Sequence, residues 1–69
     1  SLLHAVGVVV VWAAVAGLPP TQRAAVVQRY VLDLPYSEVA RALGSTEEAA
    51  RAAAYEGRKK LKVALEGSR

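Results

Sequence analysis

No cysteine occurs among the 69 residues, which excludes disulfides and thiolate metal sites. The single histidine, His4, has no carboxylate or second histidine near it in the chain, so a metal or acid–base centre is not indicated. The first twenty residues contain no Asp, Glu, Lys or Arg; all nine basic and all six acidic side chains lie in 21–69. No paired carboxylates share a face, no nucleophile neighbours a base, and no glycine-rich phosphate loop is present. An enzyme is therefore the weakest class, and no cofactor or metal is expected. No strand pattern, internal repeat or low-complexity linker occurs either.

What the chain does contain is apolar residues (54%) and a modest basic excess, net charge +3. That apolar fraction is too high for a disordered tail. The length allows one domain, near the limit at which a single core suffices. Five of the basic residues, Arg51, Arg58, Lys59, Lys60 and Lys62, fall in one expected helix. Such a concentration points to an anionic partner. The chain opens on Ser1 rather than Met, which reads as a piece of something longer.

Residues 2–18, LLHAVGVVVVWAAVAGL, admit three readings: a short transmembrane span, a signal peptide without a basic start, or a domain helix. The domain helix is favoured, buried over most of its surface from Val9 to Ala16. Gly17 then ends it, and Pro19 and Pro20 suit the first turn of a second helix. In that helix Ala24, Ala25, Val27, Val31 and Leu32 recur at helical spacing. LDLPY interrupts, with Asp33 or Ser37 as the expected cap of a third helix. Val39, Ala40 and Leu43 supply its apolar side, and Gly44 its left-handed stop.

The fourth helix, expected over 46–65, is capped by Ser45 in a capping box with Glu48, or by Thr46 with both glutamates in the first turn. Ala50, Ala54, Gly57, Leu61 and Leu65 form one stripe; Arg51, Tyr55, Arg58, Lys59 and Lys62 lie opposite. Trp12, Tyr30 and Tyr36 are read as core. The expected fold class is all-α, with four helices and a helix-turn-helix centred on Gly44.

The ordered elements LPPTQR, RYV, LPYSEVARALG, a Ser/Thr cap followed by Glu, and a basic final helix with Leu61 resemble region 4 of the sigma-70 family. The likeness is strongest to the extracytoplasmic-function type and covers Leu18 to Leu65, about two-thirds of the chain. It divides the sequence into an apolar N-terminal helix (1–17), a region 4-like domain (18–66) and a tail (67–69). The resemblance implies a domain of a bacterial, cytoplasmic transcription initiation factor. Such a domain binds the promoter −35 element through its last helix and packs against the β flap of RNA polymerase.

Carried over by position, the base-facing set is Glu47, Glu48, Arg51 and Ala52, with Arg58, Lys59 and Arg29 toward phosphate; Tyr55 is added to the DNA-binding set, with packing, backbone contact and plain exposure equally open to it. An anti-sigma factor and a homodimer through residues 2–16 are further expected partners; a membrane is not. The family usually carries polar or basic residues where this chain has Ala52, Ala53 and Glu56, which implies weak DNA binding. The rival reading uses the same fold for protein contacts.

Overall fold

The computed structural model describes residues 2–67, with helices α1 (Leu2–Ala16), α2 (Pro20–Val26), α3 (Tyr36–Leu43) and α4 (Glu47–Gly67). A π-helical turn, Val27–Val31, prolongs α2. The fold is all-α, as the sequence predicts, and no strand occurs among the described residues.

Local chemistry sets most boundaries. Gly17 closes α1, and the Arg23 guanidinium donates to the freed Ala16 carbonyl at 3.2 Å. Pro20 is the first residue of α2, where its missing N–H costs nothing. Gly44 adopts φ 65°, and the Ser45 N–H reaches back to the Ala40 carbonyl at 2.9 Å. That left-handed stop reverses the chain within three residues, Gly44 to Thr46. Of the two expected caps for α4, Thr46 serves: its Oγ1 accepts from the Ala49 N–H at 3.1 Å.

The start of α3 differs from expectation. Its flanking residue is Pro35, whose carbonyl accepts from the N–H groups of Glu38 and Val39, and no side chain caps it. Asp33 instead takes a positive φ of 56° and accepts from Arg29 at 3.3 Å, fixing the turn before α3. At the other end, α4 runs through Gly67, so that residue is helical rather than tail. Residues 68 and 69 lie outside the described residues.

The core is small. Ala25, Val39, Ala40, Ala50 and Ala54 are its buried centre, with Leu34, Tyr36, Leu43 and Ala53 packed around them. Val39 is the largest side chain that is fully buried. With so little volume between them, α2 and α4 approach until no Cβ fits at Gly57. One placed there would lie 2.5 Å from Val26 Cγ2 and 3.2 Å from the Gln22 carbonyl oxygen.

Three apolar expectations are corrected. Val31 and Leu32 are 52% and 58% exposed. The π turn, closed by the Leu32 N–H to the Val27 carbonyl at 3.0 Å, adds a residue to the turn and rotates Val31 and Leu32 off the α-helical stripe. Val26 is buried in their place. Helix α1 packs on α2 and α4 through its C-terminal end, where Val15 and Leu18 are buried, while Val8 to Val11 remain exposed. Trp12 and Tyr30, each 47% exposed, are likewise not core residues. Contact with α2 and α4 at one end leaves the rest of a helix that is apolar on every side uncovered.

Candidate nucleic-acid interface

Successive residues of an α-helix advance by about 100°, so position along α4 fixes direction. Ala50, Ala54 and Gly57 are buried, and Leu61 half-buried, on an arc of about 60°. Glu47, Glu48, Arg51, Ala52, Tyr55, Arg58 and Lys59 share a separate arc of about 140°, and all seven are exposed. The helix thus has a docked side made of small residues and a solvent side carrying every α4 residue of the expected set. Lys62 stands on the same arc. The spacing of four from Arg58 was a sufficient signal for including it. Glu56 falls outside the arc, beyond Ala52 and Lys59.

Charge is graded along this face. Its first turn carries Glu47 and Glu48, favourable to the helix dipole. About three and four turns on it is basic, with Arg58, Lys59 and Lys62 around a shallow concavity shared with Tyr55 and Leu65. A glutamate can accept from a cytosine amino group in a major groove. The lysines and arginines match phosphate.

Arg29 is placed differently. It lies on the π turn, half-buried, and its Nη1 donates to Asp33 Oδ1 and to the Leu34 carbonyl, both at 3.3 Å. Among the described residues the ion pairs are Arg29–Asp33 and Arg41–Glu38, so Arg51 does not pair with Glu47. Its guanidinium carbon instead lies 5.2 Å from the centre of the Tyr36 ring, as does that of Arg29. Arg58 stands 5.7 Å from the Tyr30 ring. Fifteen and twenty-eight residues separate the α4 arginines from these tyrosines, and nothing in the local sequence signals either contact.

Among the described residues no group of three His, Cys, Asp or Glu side chains could hold a metal ion. None of the helices is long and apolar enough to cross a membrane. The family model for sigma-70, region 4, matches residues 9–61. No curated relative and no solved structure matches the chain.

Proposed function

The chain belongs to the sigma-70 region 4 family, and on that premise we propose that it recognises a promoter −35 element with α4 in the major groove. Region 4 is a DNA-binding regulatory domain of transcription initiation rather than a catalytic family. The observation that carries the finer reading is the separation of faces on α4. Small buried residues anchor one side, and Glu47, Glu48, Arg51, Ala52 and Tyr55 are presented together on the other. A major groove about 12 Å wide accepts such a helix. In this reading Arg51 and the two glutamates address base edges, Ala52 meets a thymine methyl, and phosphate is held by Arg58, Lys59 and the Arg29 donors not engaged by Asp33 and Leu34. Residues 18–66 are the working unit, in the bacterial cytoplasm, and its apolar surface contacts the β flap of RNA polymerase.

The test is fluorescence anisotropy of the chain with duplex −35 fragments across a salt series. We expect affinity to fall steeply with salt, because phosphate contacts release counterions. Arg51→Ala should weaken binding by about 1–3 kcal/mol, the value of one good base contact. A folded Arg51→Ala protein that binds as the parent does would sink the docking.

A second reading is favoured by one observation, the exposed apolar surface of α1 from Val6 to Trp12. Large exposed apolar patches mark protein contacts. Here the fold serves chiefly to bind an anti-sigma factor or a second copy through residues 2–16. Absence of duplex binding at low salt, with a change of oligomeric state on altering α1, would favour it.

A further inference from the structure

Two arginines of the DNA-facing arc of α4 are held in different company from Arg29. Arg29 spends a donor on a carboxylate and a carbonyl. Arg51 and Arg58 lie over aromatic rings, Tyr36 and Tyr30 respectively, without such polar partners among the described residues; Arg29 shares the Tyr36 ring. The distinction matters because a guanidinium is a flat fork. A carboxylate takes its edge, where all five N–H donors lie, whereas a ring takes its face and leaves the edge available. An arginine held over a tyrosine by cation–π attraction is thus restrained without spending its N–H donors.

Of the two rings Tyr36 is the better supported, Tyr30 being half-exposed. Tyr36 is the first residue of α3 and packs against the buried cluster of Val39, Ala40 and Ala50, so its ring is held from behind. Arg29 is 5.2 Å from the same ring centre and is neutralised by Asp33, which lessens its repulsion of Arg51. Tyr30 lies on the π turn and meets α4 at Arg58. Arg51 and Arg58 are seven residues apart, about 10.5 Å along the helix. Two tyrosines from outside α4 therefore fix two guanidinium forks two turns apart on its DNA-facing arc.

We infer that Tyr36 is a positioning residue for Arg51, and Tyr30 for Arg58, ordering each arginine before DNA arrives so that less side-chain freedom is lost on binding. This rests on the DNA-binding reading above. The role belongs to the ring face and does not require the phenol hydroxyl.

The experiment combines a DNA-independent and a DNA-dependent measurement on the whole chain. In the free protein, the Arg51 side-chain resonances should be displaced by the Tyr36 ring current, and Tyr36→Leu should return them to ordinary values. With a −35-type duplex, Tyr36→Leu should weaken binding about two- to fivefold, the scale of an exposed cation–π contact. Tyr36→Phe should bind as the parent does, and Tyr36→Leu should have no further effect in an Arg51→Ala background. Tyr30→Leu should behave in the same way against Arg58→Ala.

Absence of the ring-current displacement overturns the inference, whatever the DNA results. Equal losses from Tyr36→Leu with and without Arg51 also overturn it, since the tyrosine would then act on its own account. A loss in Tyr36→Phe matching that in Tyr36→Leu does the same by assigning the effect to the hydroxyl. Displaced resonances in a wild-type chain that binds no duplex at low salt are a distinct result. They remove the DNA-binding reading, and the positioning role with it, while the stacked geometry stands.

Discussion

Adding one methyl group at Gly57 sets two known effects against each other. In a solvent-facing helix, glycine to alanine gains about 1 kcal/mol of helix propensity. Gly57, however, is where α2 and α4 touch. The new Cβ would lie 2.5 Å from Val26 Cγ2 and 3.2 Å from the Gln22 backbone oxygen. Neither neighbour yields easily, because Val26 is 4% exposed and stiff about χ1, and the other atom belongs to the main chain. Overpacking of this kind costs about 1–3 kcal/mol. Subtracting the propensity gain leaves Gly57→Ala destabilised by about 1 kcal/mol, at the middle of that range. For a domain of this size that is a fall of about 4–8 °C in Tm by calorimetry or circular dichroism. In a Val26→Ala background, where the nearest obstacle is gone and the Gln22 contact remains, the same change should cost less than in the parent chain. A Tm raised by Gly57→Ala in the parent chain would refute the close approach on which the packing of α4 depends.

The same geometry sets three further outcomes. Thr46→Ala should cost about 1 kcal/mol, because the Ala49 N–H loses its acceptor, whereas Ser45→Ala should stay within about 0.5 kcal/mol; chemical denaturation distinguishes them. Lys59→Ala should lower the salt slope of duplex binding by about one while weakening all duplexes alike, in contrast to the sequence-dependent loss at Arg51. Trp12→Gln should change stability by less than about 0.5 kcal/mol, since a half-exposed ring contributes little packing; a loss of several kcal/mol would return Trp12 to the core.

Features written in local chemistry were legible in the sequence. Pro20, Gly44 and Thr46 mark boundaries through a missing N–H, a positive φ and a hydroxyl acceptor, each a property of one residue and its neighbours. The two sides of α4 were legible as well, because alanine and charge alternate there with helical period. The π turn was not. Val27 to Val31 has ordinary helical composition, and nothing in it signals the wider turn. Nor was the exposure of α1: a helix apolar all round carries no period to say which side faces inward. The stacking of Arg51 and Arg58 on tyrosines distant in sequence is a product of tertiary structure alone. The placing of Asp33 at φ 56° could have been suspected, since aspartate tolerates that conformation better than most residues, but capping is its commoner use.

The thinness of the core bears on how such a domain can change over time. The molecule measures 39 × 21 × 14 Å, and α4 is attached to it through Ala50, Ala54 and Gly57, with Leu61 at the margin. These buried residues project almost nothing, so the outward arc of the helix is largely independent of the packing beneath it, Arg51 and Arg58 excepted through their tyrosines. Substitutions from Glu47 to Lys62 on that arc can accumulate without repacking the interior. One scaffold can therefore drift between target sequences, or give up DNA for another partner, while its fold stays fixed. Its evolvability is greatest on the exposed arc of α4 and least at Gly57, where a single methyl is too many.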